Sequence, residues 1–114
     1  MGLDLKGSFS TPPTTQWQIR AWALANGNGT AHIDASSNFS SLTDNGSGDY
    51  TFNFSTNMPD TAYVVTGSTG RNSTPHFSLN SNIRNASNFR INTGTWASGF
   101  NPVNCDSIML IVCK

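Results

Sequence analysis

The sequence predicts an all-β fold: a single antiparallel β-sandwich, jelly-roll-like, with about eight short strands and an extended N-terminal arm. Three observations support this prediction. Apolar and polar residues alternate in short runs, as they do in half-buried strands. Turn residues separate these runs at roughly the spacing found in sandwiches. Finally, Glu is absent, whereas Asn, Ser and Thr, which disfavour helix interiors, number 14, 15 and 13 of the 114 residues.

The composition is polar, but it does not indicate a disordered chain. Three Trp, two Tyr and seven Phe supply the large apolar groups that disordered segments lack. The formal net charge is zero, so the sequence predicts no electrostatic attraction to nucleic acid or to an anionic membrane. The longest apolar run, from Ile108 to Cys113, is far shorter than the ~20 residues that span a bilayer, and membrane insertion is not predicted.

Residues 1–19 are predicted to form the arm and residues 20–114 the sandwich domain. Thr11-Pro12-Pro13-Thr14 favours an extended, polyproline-like path within the arm. The arm also carries three apolar side chains that are candidates for anchoring the protein on a virion neighbour: Leu3, Leu5 and Phe9.

The first three strands are expected over residues 16–25, 30–36 and 38–43. Asn26-Gly27-Asn28-Gly29 supplies the positive φ angles of a tight hairpin between the first two. Alternation places two sets of side chains on inward faces: Trp17, Ile19, Ala21 and Ala23 in the first strand, and Ala31, Ile33 and Ala35 in the second. In the third strand Phe39 and Leu42 fall on opposite faces, which leaves its register open.

The strongest turn signal, Asp44 to Asp49, precedes a strand whose inward face holds Tyr50, Phe52 and Phe54. Further strands are expected over residues 62–67, 76–80 and 89–93. Residues 94–104 are predicted to form a long loop that carries Trp96 and Phe100.

The last strand is apolar on both of its faces. Ile108, Leu110 and Val112 alternate with Met109, Ile111 and Cys113. A small sandwich hides one face of each strand and leaves the other to water, so this strand requires a second cover. Either the chain's own arm or a second subunit supplies it, and Met109, Ile111 and Cys113 are the candidate subunit-interface residues.

No group of residues indicates catalysis or a cofactor. His32 and Asp34 share a strand face and His76 is the second imidazole, but the paired Cys and His spacing of structural zinc sites is missing. The chain also lacks a nucleophile elbow and a phosphate-binding loop. We therefore expect neither an enzyme nor a metal or cofactor site.

Four residues are candidate receptor contacts: Trp22, Arg71, Trp96 and Phe100. Aromatic rings flanked by Asn and Asp can stack on a sugar and hydrogen-bond its hydroxyls, and loops are where binding residues concentrate. The competing interpretation is that these rings cap the sandwich or fill a contact between subunits.

Several strings in the chain resemble a domain of tailed bacteriophages. They are Arg20-Ala21-Trp22, Asn28-Gly29-Thr30, SSLTDNGSGDYTFNF at residues 40–54, Met58-Pro59-Asp60 and Tyr63. The similar domain lies at the ends of tail fibres and in other small virion surface proteins. The resemblance implies a β-sandwich on the virion surface that is often trimeric and contacts host-cell surface structures. Its motif is turn and core chemistry, so it assigns no catalytic or binding residue here.

These expectations describe a non-enzymatic phage virion protein of the tail-fibre type that contributes to host attachment. It would be assembled in the host cytoplasm and displayed on the virion surface as a homotrimer. Its partners would be other virion proteins (capsid, tail or fibre) and a host surface glycan or protein. The alternative is a capsid decoration, head-fibre or connector protein that docks through its N-terminal arm.

Overall fold

The computed structural model describes residues 17–70, 76–96 and 98–114, with residues 76–83 described by their backbone alone. The described residues form nine strands: β1 (Ile19–Asn26), β2 (His32–Ser37), β3 (Phe39–Gly46), β4 (Asp49–Phe54), β5 (Val64–Gly70), β6 (His76–Arg84), β7 (Asn88–Trp96), β8 (Phe100–Pro102) and β9 (Ser107–Cys113). One antiparallel sheet has the order β2-β1-β9-β5. The other has the order β3-β4-β7-β6, with β8 paired to the end of β7. The predicted all-β sandwich is confirmed.

The core lies between the two sheets and follows the alternation of the strands. In β4 the inward side chains Tyr50, Phe52 and Phe54 are buried. The opposite sheet contributes small residues from β1 (Ala21, Ala23 and Ala25) and branched ones from β9 (Ile108, Leu110 and Val112). The alanines leave room for the rings of the facing sheet, so large and small side chains fill the core together.

Five aromatic rings form the centre of this core. They are Phe39, Phe52, Phe54, Phe89 and Tyr63, and their neighbouring centroids lie between 5.2 and 6.2 Å apart. Their geometries are edge-to-face, tilted or stacked, the arrangements that aromatic pairs prefer. Since the Tyr63 hydroxyl donates to the carbonyl oxygen of Asn85 at 2.7 Å, this ring enters the core without leaving a polar group unsatisfied.

At one end of the sandwich, the buried hydroxyl of Tyr50 belongs to a hydrogen-bond network that joins three of the segments between strands. It lies 2.7 Å from Asn104 Oδ1 and 3.0 Å from the carbonyl oxygen of Gly27. Asn104 Oδ1 also accepts a hydrogen bond from the Gly48 amide at 2.8 Å. Burial raises the pKa of Tyr50 to about 12, so the hydroxyl stays protonated and remains a donor.

Three residues predicted to face inward are exposed, and bulges in the first sheet change the side-chain alternation there. The pairing of β1 with β9 shifts between Ile19 and Ala21. Ile19 therefore turns outward, and both Ile19 and Trp17 are more than 60% exposed. In β2 the register shifts opposite Leu24, which exposes Ala35 instead of burying it.

A third bulge fixes the open register of β3. Phe39 pairs with Phe54, but Ser41 pairs with Asn53, so Ser40 is an extra residue. Phe39 and Leu42 consequently face the same core although they are three positions apart. The prediction that they point to opposite faces holds only for a strand without a bulge.

The predicted loop over residues 94–104 is also wrong. β7 continues to Trp96, and β8 returns antiparallel to it, with Trp96 paired to Phe100 and Gly94 to Pro102. Ser98 and Gly99 lie between these strands and have φ angles of 58° and 107°. The two candidate aromatic residues therefore lie on a hairpin, which fixes their separation.

The turn between β3 and β4 depends on a glycine at position 48. Gly48 has a φ of 61°, and a Cβ built there would collide with the backbone of Thr93 and Val103. Its carbonyl oxygen accepts the Thr93 amide at 2.8 Å. At position 48 the turn therefore lies so close to β7 that no side chain fits there.

We predict that Gly48→Ala lowers the free energy of unfolding by more than about 3 kcal/mol, since it adds a backbone collision to the cost of a positive φ. Gly29 is the matched control, because its φ is 62° and a Cβ there would meet nothing within 4 Å. Gly29→Ala should cost only about 1–2 kcal/mol. Urea unfolding of both variants measures the difference, and equal destabilisation would show that the close approach at Gly48 is not a constraint.

Candidate functional site

The outer face of the β2-β1-β9-β5 sheet carries three rows of cross-strand neighbours. Because directly paired residues lie on the same face of a sheet, the pairings define each row from β1 through β9 to β5. The rows are Ile19–Cys113–Val64, Trp22–Ile111–Thr66 and Leu24–Met109–Ser68. We call these nine residues the apolar face. They include no charged residue, and seven of the nine are apolar or Cys.

The apolar face concentrates the exposed hydrophobic surface of the described chain. Eight large hydrophobic side chains are exposed in the described chain. Six of them belong to the apolar face: Ile19, Trp22, Leu24, Val64, Met109 and Ile111. Their exposures lie between 38% and 62%. Single exposed hydrophobic residues are ordinary, but a contiguous group is a candidate binding surface.

The surface is concave along β9. A groove of about 500 Å³ runs between the large side chains of β1 and the low edge formed by β5. Its high side carries Trp22 and Leu24, and its low side consists of Thr66, Gly67 and Ser68. At Gly67 an added Cβ would collide with the carbonyl oxygen of Met109, so β5 lies close against β9. The groove is of a size that receives side chains from a partner.

Sequence reasoning identified part of this face and missed the rest. Met109 and Ile111 are exposed and Cys113 is half-buried, so all three predicted interface residues lie on the outward side of β9. Leu24, Ile19 and Val64 were missed. One signal was available: in β1 the large Trp22 and Leu24 alternate with small alanines, which indicates that the larger groups point away from the core.

The outer face of the second sheet has the opposite character. Its cross-strand pairs are polar: Thr43 with Thr51, Asn53 with Asn88, and Asp49 with Asn92. Asn53 Nδ2 donates to the hydroxyls of Ser41 and Thr43 at 3.1 Å each. Side chains of β3 and β4 on this polar face therefore bond to one another.

An ion pair lies within the polar face. Arg90 Nε donates to Asp49 Oδ1 at 2.6 Å, and a second bond joins Arg90 Nη2 to Asp49 Oδ2. The Arg90 guanidinium holds the pKa of the Asp49 carboxyl below its ordinary value. Asp49 therefore remains ionised at neutral pH, which keeps this face charged and hydrated.

A second exposed feature is the aromatic tip, which consists of Trp96 and Phe100 at the end of the β7–β8 hairpin. Their ring centroids lie 5.4 Å apart at an interplanar angle of 64°. Trp96 is 65% exposed, whereas Phe100 is half-buried and lies over Gly94, where an added Cβ would meet Phe100 Cζ. Phe100 thus supports Trp96, whose ring is accessible for stacking on a ligand.

The four candidate receptor contacts are not one cluster. Trp96 and Phe100 lie together, but Trp22 belongs to the apolar face of the other sheet, where it pairs with Ile111. Arg71 lies outside the described residues, as do the three arm residues Leu3, Leu5 and Phe9. Trp22 is therefore reassigned from the receptor candidates to the apolar face.

Of the residues weighed as metal ligands, His32 and Asp34 lie together, whereas the side chain of His76 is outside the described ones. His32 Nε2 lies 3.0 Å from Asp34 Oδ1, and both side chains are about half exposed. In the described part of the chain, no group of three or more His, Cys, Asp or Glu is placed to hold a metal ion.

Within residues 17–70, 76–96 and 98–114, no helix has the length and hydropathy needed to cross a membrane.

Comparisons of the chain with protein-family models, with curated protein sequences and with solved structures found no significant match.

Proposed function

We propose that this protein is a non-enzymatic phage virion protein, a tail-fibre-type surface module that contributes to host-cell attachment as a homotrimer. The resemblance of residues 40–63 to phage virion domains supports the biological setting. The observation that carries the proposal is the apolar face, because an uncharged surface centred on Trp22, Met109 and Ile111 suits permanent burial against another subunit.

The contrast between the two outer faces supports an orientation for each subunit. The polar face is hydrated and satisfied by its own side chains, so it suits the outside of an assembly. The apolar face suits the inside, where three copies bury it around a common axis. In this arrangement Ile111 lies near the centre of the contact, since the middle row of the face passes through it.

The aromatic tip is the part of the subunit that we assign to the host surface. It belongs to the second sheet, so burying the apolar face of the first sheet leaves Trp96 free. A tryptophan ring stacks on the apolar side of a sugar. Three tips on one trimer would convert weak single contacts into stable attachment.

The alternative function is a capsid decoration, head-fibre or connector protein, which docks on the virion through Leu3, Leu5 and Phe9. It uses the same trimeric assembly but gives the aromatic tip no role in binding host cells. The two functions predict different effects of substituting Trp96 on adsorption to host cells.

We predict that light scattering of the purified protein reports three times the mass of one chain, and that Ile111→Lys converts it to monomer. A lysine in the middle of the apolar face would be buried without a partner, which should weaken association at least about a hundredfold. Thr43→Lys, which places the same charge on the polar face, should leave the trimer intact. A wild-type monomer, or an Ile111→Lys variant that remains trimeric, would contradict this assembly.

We predict that Trp96→Ala reduces binding of the trimer to host cells by about tenfold or more, because a stacked aromatic group is a typical binding hot spot. Trp17→Ala is the matched control, since Trp17 is 64% exposed but precedes β1 in the first sheet. Cell-binding measurements with fluorescently labelled protein compare both variants with wild type. Equal binding by all three would remove the attachment role and favour the decoration protein.

A further inference from the structure

The first sheet has two edge strands, β2 and β5, which differ in their protection against pairing with a further strand. β2 contains a bulge and carries the charged Asp34 beside His32, and both features hinder the addition of another strand. β5 has neither feature. Its seven residues, VVTGSTG, include no charge and no proline, and they pair with β9 residue for residue from Val64 to Gly70.

The edges of the second sheet are also interrupted. β3 has two register shifts and carries Asp44. The pairing of β6 with β7 shifts before Arg84. Among the four edges in the described residues, β5 is therefore the one that is straight, uncharged and regular. Such an edge is a template for an additional strand unless something covers it.

The N-terminal arm has the pattern of a strand that fits this edge. Leu3, Leu5 and Phe9 occupy alternating positions, whereas Asp4, Lys6 and Ser8 occupy the positions between them. Residues 3–9 are as long as β5. If the apolar side of such a strand lies on the outer surface of the sheet, its side chains reach across Thr66, Gly67 and Ser68 into the groove beside Met109.

The direction of the chain at residue 17 indicates which copy would receive the arm. Gln18 and Lys114 exchange two backbone hydrogen bonds of 3.0 Å, so the chain is held in line with β1 as it leaves the sheet. The polyproline-like Thr11-Pro12-Pro13-Thr14 favours continued extension, and residues 10–16 span about 20 Å in that form. An arm that continued in this direction would place residues 3–9 beyond their own sheet, which favours a neighbouring copy as the acceptor.

We propose that β5 accepts residues 3–9 of a neighbouring copy as an added antiparallel strand, with Leu3, Leu5 and Phe9 on the apolar face. The inference rests on the proposed self-assembly and deepens it, since it names the segment that fills the groove. A contact between the arm of one copy and the edge of the next joins two different surfaces, and such contacts close into a ring of three copies where the rotation between copies permits it. Arm exchange is therefore compatible with the proposed trimer.

Hydrogen–deuterium exchange of the full chain, at a concentration at which it is trimeric, tests this proposal. We expect Leu5→Asp to speed exchange in the peptide covering β5 about tenfold, because the charged side chain cannot lie in the groove and the added hydrogen bonds are lost. Ser8→Asp introduces the same charge on the other side of the arm and should leave β5 protected. Ser68→Lys should act as Leu5→Asp does, and Thr43→Lys on the polar face should not.

Dilution identifies the copy that supplies the arm. Protection of β5 that disappears as the trimer dissociates supports exchange between copies. Protection that persists in the monomer would assign the edge to the chain's own arm and overturn the proposal. A trimer in which β5 exchanges equally fast in wild type and Leu5→Asp would overturn arm exchange but leave the assembly standing, whereas a wild-type monomer at all concentrations would overturn both.

Discussion

The two-sided apolar character of β9 is the constraint on which the rest of this structure depends. Its inward residues Ile108, Leu110 and Val112 are buried against the aromatic core, which fixes the register of β9. Because side chains alternate, that register necessarily places Met109 and Ile111 on the outside. The neighbours of β9 do not cover them: β1 adds Trp22 and Leu24 to the same surface, and β5 adds only small groups near the groove. The same strand, β9, therefore both fills the core and exposes apolar side chains on the outer face.

The two faces of the sandwich explain how a polar sequence of zero net charge can form both a hydrated surface and a surface suited to assembly. On the polar face, hydroxyl and amide groups such as those of Ser41, Thr43 and Asn53 bond to one another. On the apolar face the same uncharged character provides little protection against association with another chain. The low charge of the sequence therefore has different consequences on the two faces. On the polar face, polar groups bond to one another. On the apolar face such groups are absent, and the low charge favours association. The assembly we propose uses this asymmetry.

Strand alternation and turn chemistry were sufficient to predict the fold class, the inward face of β4 and the outward position of Met109 and Ile111. Bulges account for most of the errors, because one extra residue such as Arg20 or Ser40 reverses the face of everything beyond it, and no residue type marks the place. The hairpin at Trp96 was missed for another reason. Its strands are short, and their pairing depends on contacts with Gly94 that a linear pattern does not contain. Alternation along the sequence thus predicts which residues of a strand can lie on the same face. The pairing with neighbouring strands determines which of them actually lie there.

The central claim is that the apolar face is buried in the assembled protein while the aromatic tip is not. Hydroxyl-radical footprinting with mass spectrometry measures this directly, since Trp and Met side chains react in proportion to their exposure. On dilution from the assembled protein to monomer, we expect the modification of Trp22 and Met109 to speed up several-fold and that of Trp96 to stay the same, because Trp22 and Met109 are 42% and 45% exposed in the single chain. Modification rates of Trp22 and Met109 that do not change between assembled protein and monomer would contradict the account.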